Sequence, residues 1–236
     1  MILSVLIPVY NEERTLEEVV RRVRAVPCAK EIILVDDGSK DGSREILKRL
    51  EEESARAGDP LNNLKAFFHS VNQGKGAALK TALSHAAGDI VIVQDADLEY
   101  DPKDYPVLLA PIEAGLADVV YGTRFAGGGA HRVLFFWHSM GNHVLTMISN
   151  VLTNLNLSDM EVGYKVFRAE ALKGVELKSQ RFGFEPEITM KLAKKGCRFY
   201  EVPIAYHGRT YEEGKKITWK DGFAALYYMI RYRLGD

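Results

Sequence analysis

The chain has 236 residues, 47% of them hydrophobic and 27% charged, enough for one large α/β domain or two small ones. A net charge of −1 leaves no overall basic field and argues against nucleic acid as a partner. Two distant cysteines, Cys28 and Cys197, form no CxxC pair; they exclude a disulfide framework and read as reduced thiols of a cytoplasmic protein.

The opening MILSVLIPVY lacks a basic leader and a cleavage site, and acidic residues follow at once, so it reads as a buried strand over Ile2–Val9 and not as a signal peptide. Leu16, Val19, Val20 and Val23 then recur at helical spacing. A second buried strand, Glu31–Val35, runs into DDGSKDGS, and a helix from about Ser43 to Arg56 ends at GDP. Lys65–His69 reads as a third strand, Ala77–Ala87 as a helix closed by Gly88, Ile90–Gln94 as the fourth strand and Asp118–Gly122 as the fifth. The second half is less regular: a Gly-rich loop at FAGGGAHR, helices over His138–Leu152, Glu185–Lys195 and Trp219–Tyr232, and strands at Tyr164–Phe167 and Phe199–His207. Alternating β and α units with continuous apolar strands predict a mostly parallel, Rossmann-like sheet covered by helices on both faces. In such sheets ligands gather beyond the carboxyl ends of the strands, where PVYNEE, DDGS, DADLE and GTRF stand.

The fourth strand leads straight into Asp95, Asp97 and Glu99. Like charges so close repel, and burying them unpaired is costly, so a lysine, an arginine or a metal must sit among them. In extended backbone Asp95 and Asp97 would face the same way, and hard oxygen ligands of this kind suit Mg²⁺ or Mn²⁺, which neutralise a departing diphosphate. Asp36 and Asp37 could accept hydrogen bonds from a base or ribose. Lys75, in NQGKG, could reach a phosphate or be a surface lysine; the motif is no Walker A loop. No GxGxxG follows the first strand, which disfavours dinucleotide chemistry.

In order along the chain, VLIPVYNEE, LVDDGSKDGS, NQGKGAAL, QDADLEYDP, GTRF, DMEVGYKVFR, FGFEPEI and GRTYEEGKKITWKDG resemble the motifs of family 2 inverting glycosyltransferases with the GT-A fold, and among them the dolichol-phosphate mannose synthase type. The resemblance covers nearly the whole chain and implies one domain: a nucleotide-binding half over 1–124 and an acceptor half over 125–236. It implies that Pro8, Tyr10 and Glu12 contact the nucleotide and that Asp37 holds the base. Asp95 and Asp97 would serve metal and diphosphate, with Ala96 beside the donor and Glu99, at a position the mannose synthases usually give to Gln, as a further oxygen ligand. Arg124 would bind phosphate, with Arg132 or His138 as a second acceptor ligand, and Arg209 with Lys215 or Lys216 would close over the donor. Asp97, Arg124 and Arg209 are thus the expected catalytic residues.

A polyprenyl phosphate acceptor needs no general base, because its second pKa is about 6 and it is largely dianionic at neutral pH. What it needs is positive charge holding it in line, for which arginine's planar fork is suited. A hydroxyl acceptor would need a base, for which Asp159 and Glu161 are the candidates unless they only position Lys165 or the sugar. GDP-mannose or UDP-glucose or UDP-GlcNAc are the donors implied. The alternatives are a soluble family 2 transferase acting on a saccharide or small hydroxyl, and a non-catalytic nucleotide-sugar-binding subunit. No apolar run reaches the ~20 residues needed to cross a bilayer, although many such synthases carry C-terminal spans. The expectation is a peripheral enzyme at the cytoplasmic face, a partner of a membrane-anchoring subunit or homo-oligomer, or a piece of a longer chain. VLFFWHSMGNHVL could lie in the membrane interface. The C-terminal stripe Phe223, Leu226, Tyr227, Ile230 reads as core-packing, with Lys220, Arg231 and Arg233 outside it.

Overall fold

The computed structural model describes residues 1–59, 62–126, 133, 135–181, 183–209 and 219–235, with side chains in the last stretch from 221 onward. Five strands come from the first half: β1 Leu3–Val9, β2 Lys30–Asp36, β3 Asn62–Phe68, β4 Ile90–Val93 and β5 Val119–Thr123. β6 Lys165–Arg168 and β7 Phe199–Pro203 complete one seven-stranded sheet of order β3-β2-β1-β4-β6-β5-β7. β1, β4 and the Ile32–Val35 stretch of β2 are apolar because both faces of the sheet are covered, and the side chains of the three strands are buried almost without exception.

β1 pairs in parallel with β2 on one side (Leu3↔Lys30 to Val9↔Asp36) and with β4 on the other (Leu3↔Ile90 to Leu6↔Val93). The chain therefore reverses its direction of strand addition at β1, and the crevice at such a switch point is where open α/β sheets bind ligands. Tyr10–Glu12 follows β1 and the Asp95–Glu99 turn follows β4 at this point.

β6 is antiparallel to both β4 and β5. This inversion brings its amino end, and the Ser158–Gly163 loop before it, up beside the carboxyl end of β4. Local periodicity carries no information about strand direction, so the sequence predicts β6 but not its orientation.

The helices are α1 Leu16–Ala25, α2 Ser43–Ala57, α3 Lys75–Ser84, α4 Tyr105–Glu113, α5 Phe136–Thr153, α6 Ala169–Leu172, α7 Phe184–Lys194 and α8 Trp219–Leu234. α4, preceded by a 3-10 turn at Pro102–Asp104, has no counterpart among the predicted elements. Its buried Tyr105, Leu108, Leu109 and Ile112 have helical spacing, but Pro106 and Pro111 read as breakers; Pro106 sits in the first turn, where no backbone donor is lost. Phe184 and Ile188 of α7 line one small apolar cavity together with Leu6, Val91, Val93 and Phe167 of the sheet. α8 packs on α5 and α7, turning Ala225, Met229 and Tyr232 inward. Phe223, Tyr227 and Ile230, expected in the core, face solvent instead. The helix has two apolar stripes, and the one with the small residue Ala225 fits against its neighbours.

Candidate active site

Beyond β1, Glu12 begins a short turn into α1. Its amide is held by Ser43 Oγ at 2.9 Å, and Thr15 Oγ1 donates to the carbonyl of Ala96 at 2.7 Å, fastening the start of α1 to the acidic turn. Pro8 lies within β1 opposite Val35, and Tyr10 follows the strand, partly buried. Beyond β2, Asp37 is buried. Its Oδ1 accepts from Gln73 N at 3.0 Å and pairs with His69 Nδ1 at 2.7 Å, and its Oδ2 accepts from Gly74 N at 2.7 Å. Asp37 thus fixes the Gln73–Gly74 turn that launches α3.

The acidic turn meets two cations. Lys75 Nζ lies 2.8 Å from Asp95 Oδ1 and 2.9 Å from Glu185 Oε1, and it is neither a surface lysine nor free to reach outward. Burial pulls the Lys75 ammonium down, but the two carboxylates outweigh it and hold its pKa well above the ordinary lysine value. Arg209 donates from Nη2 to Asp97 Oδ2 at 2.7 Å and from Nη1 to Glu12 Oε2 at 3.3 Å, and its backbone N–H donates to Glu99 Oε1 at 2.8 Å. Tyr206 OH donates to the other Glu99 oxygen at 3.0 Å. The segment is a turn, with Leu98 at φ 62°, and not the extended backbone expected for Asp95 and Asp97.

The expected metal trio of Asp95, Asp97 and Glu99 is correspondingly not assembled. Among the described residues no group of three His, Cys, Asp or Glu side chains converges to hold a metal ion, because these carboxylates turn to Lys75, Arg209 and Tyr206. Negative charge is nevertheless in surplus. The Asp97 carboxyl is pushed up to about 7, by burial first and then by Asp95 and Glu99, with Arg209 offsetting only part. An oxygen-only donor set carrying excess charge fits a hard divalent cation, and Mg²⁺ asks for only one or two protein carboxylates.

A second centre lies past β5. Arg124 grips Asp159 with both arms of its fork, Nε to Oδ2 at 2.6 Å and Nη2 to Oδ1 at 2.7 Å, and its own amide reaches the same carboxylate at 3.1 Å. Asn142 of α5 hydrogen-bonds both partners, and the guanidinium stacks 5.2 Å above the Tyr206 ring. Glu201 on β7 accepts from the amides of Ser158 and Asp159 and so holds the loop that presents this pair. His138 lies one turn before Asn142 on α5, its ring 5.9 Å from that of Phe135. Arg132, Lys215 and Lys216 lie outside the described residues.

Between the two centres runs the loop Asp159–Gly163. Gly163 abuts Asp95: a Cβ there would collide with Asp95 Oδ2 and the Tyr100 ring. Lys165, fully buried and 4.2 Å above the Tyr121 ring, donates to the carbonyls of Met160 and Val162, on either side of Glu161. Burial lowers the Lys165 pKa to about 8. Glu161 Oε1 is out of solvent's reach and has no hydrogen-bond partner.

The structure therefore gathers Glu12, Asp95, Ala96, Asp97, Glu99 and Arg209 and sets Arg124 beside them, against the Tyr206 ring whose hydroxyl holds Glu99. Sequence reasoning missed Thr15, Asn142, Glu185 and Tyr206 as parts of the site. Of these only Glu185 carried a signal, as one of two carboxylates, with Glu187, inside the otherwise apolar FGFEPEI.

A model of glycosyl transferase family 2 matches residues 4–175. The undecaprenyl-phosphate mannosyltransferase of Micrococcus luteus is 28% identical, over 98% of each chain. The undecaprenyl-phosphate 4-deoxy-4-formamido-L-arabinose transferase of Pseudomonas aeruginosa is 30% identical over 91% of this chain, which spans 60% of that protein's length. Among solved structures, glucosyl-3-phosphoglycerate synthase of Mycobacterium tuberculosis, crystallised with Mn²⁺, uridine diphosphate and phosphoglyceric acid, superposes with a TM-score of 0.71. That likeness covers 99% of this chain and 79% of the other at 18% identity, and it bears on the fold alone.

Proposed function

The chain belongs to glycosyl transferase family 2 and is a glycosyltransferase with the GT-A fold; from that premise we propose that it transfers a hexose, with inversion, from a nucleoside diphosphate sugar to a polyprenyl phosphate at the cytoplasmic face of a membrane. GDP-mannose, UDP-glucose and UDP-GlcNAc are the donors to try. The names of the Micrococcus and Pseudomonas relatives, both undecaprenyl-phosphate transferases, support the acceptor class.

The observation that carries the reading is the double role of α5. On one side Asn142 hydrogen-bonds Arg124 and Asp159. On the other, Trp137, Met140, Val144, Met147 and Val151 recur at helical spacing and all face solvent, Trp137 and Val151 at 80% and 79% exposure. α8 packs beside it and adds exposed Phe223, Tyr227, Ile230 and Leu234, with Arg231 and Arg233 also exposed. Two neighbouring apolar stripes with cations beside them suit the headgroup boundary of an anionic bilayer. No helix among the described residues is long and apolar enough to cross one. A lipid lying along α5 would bring its phosphate to Arg124.

Asp159, the first candidate base for a hydroxyl acceptor, is fully buried and committed to Arg124 and Asn142. A phosphate dianion does without such a base. Arg124 would orient it, and Arg209 would bind the departing diphosphate in place of Asp97 and Glu12. Asp97, with Asp95 or Glu99, would hold the divalent cation, whose charge stabilises that leaving group when bound.

The test is to incubate the protein with labelled sugar nucleotides, Mn²⁺ and vesicles containing undecaprenyl phosphate alongside soluble saccharides. Label recovered in the lipid phase supports the reading; label found only on the saccharides overturns it.

A further inference from the structure

Glu161 is a carboxylate that the fold positions but does not use. Lys165 clamps the carbonyls on both sides of it, Asp159 two residues before is locked to Arg124, and Gly163 two residues after is pressed against Asp95. It therefore stands midway along the loop that joins the two charged centres. Its Oε1 is buried and unpartnered, a costly condition where nothing compensates it. Its charged surroundings are Glu185, Lys165, Arg124 and Asp159. None of these hydrogen-bonds Oε1, which among the described residues has no partner and so stands open to one from a ligand.

In an in-line transfer the sugar lies between the leaving diphosphate and the incoming nucleophile. Resting on the reading of this site as a family 2 transferase, we propose that Glu161 is a specificity residue that hydrogen-bonds hydroxyl groups of the donor sugar. The carboxyl is pushed up to about 7 by burial, then by Glu185; protonated it donates to a hydroxyl, ionised it accepts from one. The class of sugar follows from the charge. Asp95 and Glu185 are offset by Lys75, so the selecting charge is that of Glu161, whose Oε1 no cation hydrogen-bonds; ionised, it admits a neutral or amino hexose and disfavours a uronate whose carboxylate would face it.

The experiment is calorimetric binding with Mn²⁺ present, comparing each nucleoside diphosphate with its sugar conjugate for wild type, Glu161→Gln and Glu161→Ala, together with deoxy-sugar analogues and steady-state kinetics. The expected result is that free diphosphate binds all three proteins alike. The sugar nucleotide should weaken about tenfold in the Ala variant and less in the Gln variant. One deoxy analogue should be insensitive to the substitution, identifying the hydroxyl that is read. A uronate donor should bind wild type no more tightly than free diphosphate. Equal weakening of diphosphate and conjugate, or no change in either, overturns the assignment. So does a collapse of kcat in the Gln variant with sugar-nucleotide affinity intact, which would make Glu161 a general base. If wild type binds neither diphosphate nor conjugate, the transferase reading itself falls, and this inference with it.

Discussion

Lys75 and Asp95 form a partly buried ion pair, Nζ to Oδ1 at 2.8 Å, and the same ammonium holds the buried Glu185 at 2.9 Å. One cation thus ties α3 to the acidic turn and to α7. It answers part of the electrostatic question that the Asp95–Glu99 cluster raises, and Arg209 answers the rest.

Removing that cation leaves the buried Glu185 and the partly buried Asp95 without their shared partner. Lys75→Met should destabilise the fold by about 3–5 kcal/mol, the cost of breaking a buried pair by removing one member. Lys75→Met combined with Glu185→Gln should recover part of the loss, because one uncompensated charge disappears. Urea unfolding of the three proteins measures both.

Asp97 behaves differently, because it is held against burial and two like charges. Asp97→Ala should lower kcat by about 10²–10³-fold. The thermal midpoint should hold or rise, since a repelling charge goes and no core volume does. Turnover and thermal melts on the same preparation separate the two; full activity would remove Asp97 from the reaction.

The exposed stripe of α5 should matter to the membrane and not to the fold. Met140→Glu with Met147→Glu should abolish flotation with anionic vesicles, while unfolding free energy changes by no more than about 0.5 kcal/mol per site, as for other exposed positions. Flotation unaffected by both charges would place the bilayer elsewhere.

Glu161 predicts a pH signature. Its folded-state pKa is about 7, raised above the unfolded value near 4.5, by burial first and then by Glu185, against Lys165 and Arg124. A raised carboxyl stabilises the fold in its protonated form, so the contribution is complete below about pH 4.5 and is lost as pH rises to 7. Wild type and Glu161→Gln should therefore melt together near pH 5, and the Gln variant should melt higher at pH 8. Parallel pH–melting curves would contradict the placement of Glu161.

The strands of the first half were legible because burial on both faces leaves unbroken apolar runs, as in Ile32–Val35 and Ile90–Val93. α4 was hidden by Pro106 and Pro111, and the outward face of α8 by the apolar character of both its stripes. At the site, residue types and strand-end positions foretold where Asp95, Asp97 and Arg124 stand, but not their partners. Lys75 reaches Glu185 across 110 residues and Arg209 reaches Asp97 across 112, separations over which local patterning carries no signal. The metal set Asp95, Asp97 and Glu99 follows from the acidic spacing and the family resemblance, neither of which shows that Lys75, Arg209 and Tyr206 engage those carboxylates.

The central claim is that the nucleophile is a phosphate already ionised on arrival and oriented by Arg124. Its most direct measurement is sugar transfer in matched vesicles containing either undecaprenyl phosphate or undecaprenol. Glycolipid should form from the phosphate and none from the alcohol; comparable transfer to the alcohol would contradict a pre-ionised nucleophile.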